Sequence, residues 1–190
     1  MKILLLLRGD AFRSGRSGPI ENIEQPLQLE VFETVLEHIV SPLEKDGHIV
    51  NVAIDVCVSS DAQETQLRTK AKEILCERIE HVHISKERCP KQRLSLNQLF
   101  DRQNKRMKSA DVVILTRCDL FWFKCPLPKE ITADVIWGLY HSPKKISILN
   151  DVFHIIPSTR LDEYISFFKD LNDRRISGHS IDLVLDKVCV

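Results

Sequence analysis

Ile3 to Leu7 are five aliphatic residues in a row, and they lead directly into Arg8-Gly9-Asp10. Apolar side chains at every position, rather than at every second one, describe a strand covered on both faces, as in a parallel sheet flanked by helices. Asp111 to Thr116 repeats that signature in a β-branched run. Leu29, Phe32, Leu36, Ile39 and Leu43 instead recur at steps of three and four, the stripe of a helix lying on a sheet. Similar stripes run through Leu67, Ala71, Ile74, Leu75 and Arg78, through Leu96, Leu99, Phe100, Gln103 and Met107, and through Leu161, Tyr164, Ile165, Phe168 and Leu171. A last helix is predicted over Ile181, Val184, Leu185 and Val188. Asp61 with Glu64, and Ser95 with Gln98, have the spacing of capping boxes. Further strands are predicted at His48 to Asp55, Val82 to Ser85, Val135 to Tyr140 and Ile146 to Ile156, with breaks at His141 to Lys145 and at Asn150-Asp151. Pro126 and Pro128 make the segment from Phe121 to Glu130 an irregular connection. Strands alternating with helices predict an α/β fold with a mainly parallel central sheet.

At 190 residues the chain has room for one such domain, residues 1–190, and not comfortably for two. Its 27 basic and 27 acidic residues cancel, so no global field draws it to nucleic acid or to an anionic membrane. No apolar run approaches the ~20 residues of a membrane span. Ile3 to Leu7 is too short for a signal peptide and lacks a small-residue cleavage site, so a cytoplasmic location is expected. The six cysteines include no CxxC pair, and several sit in apolar segments, which predicts reduced, structural thiols.

In sheets of this kind ligands gather beyond the carboxyl ends of the strands, here just after Leu7, Ile54 and Leu115. Arg8, Gly9, Asp10 and Arg13 follow the first of these. Glycine lets the backbone approach a ligand closely and an arginine fork bridges phosphate oxygens, so the segment is a candidate nucleotide cradle. It contains neither a Walker loop nor GxGxxG, and a solvated surface loop is the plainer alternative. Asp55, ending the second strand, is placed to accept ribose hydroxyls, or to serve in a cap or turn. Arg117-Cys118-Asp119 ends the run from Asp111. Two residues apart on an extended backbone, Arg117 and Asp119 share a face, where they can neutralise phosphate, hold a divalent metal, or simply pair with each other.

Asp151 and His154 form a third group, with His179 further on. Asp151 is the candidate general base, against a role in a turn. His154 lies in an apolar run that also suits a core histidine. His179 precedes the last predicted helix and is open to an acceptor or to a helix-entry role. Trp122, Phe123 and Trp137 can wall an acceptor groove or pack in the core. Arg102, Lys105, Arg106 and Lys108 read as a solvated helix face.

A helix with Ser95, Gln98 and Asn104, followed by a strand and Arg-x-Asp, resembles the central segment of GT-A glycosyltransferases, where a metal-binding Asp-x-Asp ends the corresponding strand. Leu6-Leu7-Arg8-Gly9-Asp10 with Arg13 is similar to the opening of a subset of them. Asn150 to Pro157 looks like a segment in which such enzymes carry an Asn-Asp pair before an aromatic. Taken together, these segments resemble the small glycosyltransferases of large algal (chlorella) viruses. It implies a Rossmann-like GT-A, nucleotide-diphospho-sugar transferase fold and transfer of a sugar from a UDP- or GDP-linked donor to a glycan or glycoprotein hydroxyl. It also implies donor contacts from Arg8, Gly9, Asp10, Arg13, Asp55, Asn104 and Arg117, and acceptor contacts from His154 and His179. Asp119 and Asp151 become the catalytic carboxylates. Arg117 stands where the first acid of Asp-x-Asp is expected. Either Asp119 binds Mn2+ or Mg2+ alone, or Arg117 supplies part of the metal's charge. A noncatalytic nucleotide- or glycan-binding module is the main rival; a P-loop-like phosphoryl or sulfuryl transferase is disfavoured by the missing phosphate-loop lysine.

Overall fold

The structure, a computed structural model, describes residues 1–12, 29–87, 92–140, 148–173, 181–182 and 188–189. Arg13, His179 and the predicted break at His141 to Lys145 lie outside the described residues. In chain order the elements are β1 (Lys2–Asp10), α1 (Val31–Val35), a π-helical turn (Leu36–Val40), α2 (Ser41–Lys45), β2 (Ile49–Cys57), α3 (Asp61–Leu75) and β3 (Ile79–Ser85). They continue with α4 (Gln92–Lys108), β4 (Val112–Arg117), β5 (Ile136–Tyr140), β6 (Ile148–Pro157), α5 (Leu161–Asp173), β7 (Ile181–Asp182) and β8 (Val188–Cys189). This is the expected α/β architecture, with apolar strands covered by amphipathic helices.

The chain divides into two compact units, and the division falls within β1. One comprises Leu5–Arg88 and Arg117–Leu127. Its strands lie in the order β3-β2-β1, with β2 and β3 parallel. Leu5, Leu6 and Leu7 are fully buried together with Val52, Ala53 and Ile54, as continuous apolar runs require. Val31, Phe32, Val35, Ile39 and Val40 present the buried face of the first helical segment. Its π-helical turn ends with the Ser41 N–H donating to the Leu36 carbonyl, immediately before Pro42. Proline has no N–H for the carbonyl four residues earlier, and the widened turn accommodates that loss. The cap of α3 sits one residue before the predicted Asp61. Ser60 is extended and its hydroxyl accepts from the Gln63 N–H at 3.3 Å, while Glu64 pairs with Arg68 at 2.9 Å instead of reaching back. β3 is half-buried along most of its length, in keeping with its terminal place in the strand order.

The other unit comprises Met1–Leu4, Cys89–Thr116 and Pro128–Val190, with strand order β1-β4-β6-β5-β8 and β7 beside β6. β6 is antiparallel to β4, β5 and β7, and β5 is parallel to β8, so β4, β5, β7 and β8 share one direction and β6 opposes it. Three local expectations are corrected in this unit. α4 begins at Gln92, so Ser95 lies inside the helix rather than at its cap. β6 is one strand through Asn150-Asp151, and the predicted break is instead a shift of register there, since β5 pairs Gly138 with His154 but Tyr140 with Leu149. Ile181–Asp182 and Val188–Cys189 are strands, since short apolar runs rich in Ile and Val satisfy either period. Among the described residues no helix is long and apolar enough to cross a membrane.

Candidate functional site

Arg8, Gly9 and Asp10, singled out as following the first strand, are part of β1 itself. Gly9 has φ +106°, a conformation that side chains rarely adopt, and a Cβ there would meet nothing within 4 Å. Conformation, not crowding, is what asks for glycine. Arg8, just before it, is 4% exposed, and Asp10, just after it, is half-buried.

Main-chain hydrogen bonds then fasten the strand ends of this unit to one another. The Ala11 N–H donates to the Cys57 carbonyl at 3.0 Å, and the Val58 N–H to the Ser85 carbonyl at 2.9 Å. The Cys118 N–H donates to the Arg8 carbonyl at 2.9 Å. The carboxyl ends of β1 and β2 and the Arg117-to-Asp119 turn are therefore held together, as the strand-end rule requires of a ligand site. Asp55 sits near the end of β2, 6% exposed, and its register partner on β3 is His83. Neighbouring strands put register partners on one face, so His83 joins Asp55. Sequence reading passed over His83; the alternation Ile79, His81, His83 across a half-apolar strand was the available signal.

Arg117 and Asp119 share a face as expected, and they pair. Arg117 Nε donates to Asp119 Oδ1 at 2.8 Å and its terminal nitrogen to Oδ2 at 2.5 Å. The side chains are 20% and 10% exposed, so solvent screens this two-point ion pair only in part. Cys118, between them, is buried. Burial raises its thiol pKa, the Asp119 and Asp10 carboxylates push the same way, and Arg117 opposes them. A raised pKa keeps the sulfur protonated through the neutral range, which disqualifies it as a nucleophile. In the folded protein iodoacetamide should therefore label the exposed Cys76 and Cys125 and spare Cys118. Peptide mapping by mass spectrometry checks this, and equal labelling of Cys118 would mean that the turn stands open.

The pair also decides how well a metal fits. Both Asp119 oxygens accept from a guanidinium, and the first acid position of the expected motif carries that same guanidinium. Among the described residues no three His, Cys, Asp or Glu side chains form a group able to hold a metal ion. The residues at this turn do not fit a divalent cation held by paired carboxylates. Downstream, the Trp122 N–H donates to Thr34 Oγ1 at 3.2 Å and the Trp122 ring is buried, while Phe123 is 88% exposed. Of these two aromatics only Phe123 offers surface for an acceptor.

The remaining candidates belong to the other unit. Asn104 is half-buried on α4, and its Oδ1 is enclosed with no hydrogen-bond partner among the described residues. It lines an open groove of about 730 Å³ together with Arg102, Lys105 and Lys108. Asp151 lies on β6, as a strand residue rather than the turn residue that was the alternative. His154 is 1% exposed, with Nδ1 hydrogen-bonded to the Tyr164 hydroxyl and its ring against Tyr164 and Phe168. That placement is the core role, not acceptor contact. Trp137 packs edge-on against Phe153, ring centres 6.2 Å apart.

With this geometry in hand, the fold has solved counterparts. A Pyrobaculum calidifontis mannosyltransferase, in complex with GDP-Man and Mn2+, is similar over 85% of this chain and 46% of its own, with TM-score 0.52 and 13% identity. The fold is that of a nucleotide-sugar transferase. This chain spans less than half of that protein's length. A Vibrio cholerae nucleoside-diphosphate-sugar pyrophosphorylase is similar over 95% of this chain and 83% of its own, with TM-score 0.49 and 10% identity. A glycosyltransferase involved in glycosylation of the PBCV-1 major capsid is similar over 90% of this chain and 68% of its own, with TM-score 0.46 and 9% identity. No protein-family model matches the sequence, and no curated protein sequence matches it.

Proposed function

We propose that residues 1–190 act as one GT-A-like glycosyltransferase domain, moving a sugar from a UDP- or GDP-linked donor to a hydroxyl of a glycan or glycoprotein. The observation that carries this reading is the guanidinium of Arg117, fixed by Asp119 and fastened through Cys118 to the end of β1. Arg8, Gly9, Asp10 and Asp55, with Arg13, receive the nucleoside and ribose. The donor diphosphate faces Arg117. The acceptor oxygen attacks the anomeric carbon, the bond from that carbon to the diphosphate oxygen breaks, and its electron pair leaves with the diphosphate. Arg117 stabilises the charge that develops there, and a preorganised cation does so without reorganising. In a single displacement the acceptor proton goes to a carboxylate, for which Asp151 is proposed. Asn104 and His179 are further proposed contacts to donor and acceptor.

The protein incubated with a panel of nucleotide sugars should release nucleoside diphosphate slowly from the cognate donor even without acceptor, because water replaces the hydroxyl. Chromatography of the nucleotides reads the result. Thermal stabilisation by a donor that yields no diphosphate, with any acceptor tried, would instead establish the binding-module alternative. Arg117 in place of the first acid of Asp-x-Asp is what favours that second reading.

A further inference from the structure

The two faces of β3 differ. Val82 and Ile84 stand in register with Ile54 and Val56, so one face of this end of the sheet is apolar. His81 and His83 stand in register with Ala53 and Asp55, and the face they make carries polar groups. That face continues to the strand ends, where Cys57 is the register partner of Ser85. There the Val58 N–H donates to the Ser85 carbonyl and the Ala11 N–H to the Cys57 carbonyl, which ties the end of β3, through β2, to the end of β1. His83 stands two residues short of this carboxyl edge, the edge on which the donor reading depends. Its neighbours on the face are engaged and it is not. Asp55 and His81 each have an interaction partner, whereas among the described residues the His83 side chain has no hydrogen bond, ion pair or ring contact. It is also half-buried, so a ligand against it meets a nitrogen only partly in contact with water.

Position along the edge decides which part of a nucleotide this imidazole meets. The Arg117-to-Asp119 turn is fastened to β1, and two strand spacings, about 10 Å, separate β1 from β3. A diphosphate at that turn sends its nucleoside along the edge, and the base, at the far end of the molecule, comes to lie over β3. A neutral imidazole presents one N–H donor and one acceptor, and a base edge carries groups complementary to both. We infer that His83 reads the nucleobase, through a hydrogen bond between one ring nitrogen and the base edge. The inference rests on the donor reading above and deepens it by naming a specificity-determining residue. A base that cannot make this bond leaves the nitrogen covered and unpaired, which is how one hydrogen-bonding group separates two otherwise similar ligands.

Calorimetric titration with GDP and with UDP, in EDTA and again in Mn2+, tests it on the full chain, on His83→Phe and on His83→Gln, with thermal unfolding of all three recorded alongside. The wild type should prefer one of the two nucleotides. His83→Phe keeps a ring and removes both nitrogens; it should weaken the preferred nucleotide by about three- to tenfold, the worth of one hydrogen bond, and leave the other within about twofold. His83→Gln returns a donor and an acceptor and should recover part of the lost preference. If His83→Phe does not fold, His83→Ala takes its place with the same expectations. A folded variant without ring nitrogens that keeps the wild-type preference overturns the inference and leaves the donor reading intact, as does one that weakens both nucleotides equally. Wild-type protein that binds GDP and UDP equally well overturns it too. If neither nucleotide binds the wild type in either buffer, the donor reading falls and this inference falls with it.

Discussion

Asp119→Ala should slow nucleoside diphosphate release from the cognate donor by about 10²–10³-fold, the range seen when one preorganised electrostatic group is removed from a transfer site. The loss arises through Arg117. Without its partner the guanidinium is no longer held in one plane, and the hydrogen bonds that oriented it at 2.8 and 2.5 Å are gone. The turn itself should survive, since the Cys118 N–H still donates to the Arg8 carbonyl. Stability should fall by only about 1–3 kcal/mol, the cost of a partly buried charged hydrogen-bonded pair. Stopped assays with wild type, Asp119→Ala and Asp119→Glu separate this from general damage. The longer carboxylate should restore part of kcat because it can still reach Arg117, whereas a merely structural defect would track the unfolding midpoint. Full turnover by a folded Asp119→Ala protein would remove the pair from the chemistry.

A second substitution should show its effect on stability. Tyr164→Ala should cost about 3–5 kcal/mol, measured by urea unfolding, because it empties a fully enclosed aromatic position. The Tyr164 ring lies 4.7 Å from Phe168, 5.6 Å from His154 and 6.0 Å from Phe100, joining α5 to α4 and β6. Its hydroxyl is also the hydrogen-bond partner of His154 Nδ1, so truncation strips a buried imidazole of that bond as well. Tyr164→Phe should cost less, about 1–2 kcal/mol, since only the hydroxyl is removed. A loss below about 1 kcal/mol for the alanine variant would mean that the cluster is not packed as described.

The difference between these two sites also explains what was legible in the sequence. Ile3 to Leu7 and Val112 to Leu115 announced buried strands because each is apolar at every position, and the α5 stripe through Leu161, Tyr164, Ile165 and Phe168 has a clean helical period. Composition and period suffice for such elements, and through them for the fold. Local signals with two solutions were less secure. Ser60 and Asp61 are both competent helix caps, and Ser60 is the one whose hydroxyl accepts from the Gln63 N–H, while the Gln63 side chain accepts from the Ser59 hydroxyl. The break read at Asn150-Asp151 came from turn-forming residue types, and the strand absorbs them as a shift of register against β5 rather than ending. At the site, spacing predicted that Arg117 and Asp119 share a face but left their partner open. Whether a guanidinium and a carboxylate two residues apart grip each other or a third body depends on rotamer and burial, which no pattern of residue types encodes. His154 was ambiguous for the same reason until its neighbours across the sheet and on α5 were known.

The strand ends of the first unit are fastened by peptide groups: Ala11 to Cys57, Val58 to Ser85 and Cys118 to Arg8. Such a clasp is indifferent to what hangs from it. None of the three ties uses a side chain, and proline at 11, 58 or 118 would undo one outright by deleting the donor. The position of these strand ends is thus written in the backbone, and a change of residue type elsewhere at the edge leaves their spacing as it is.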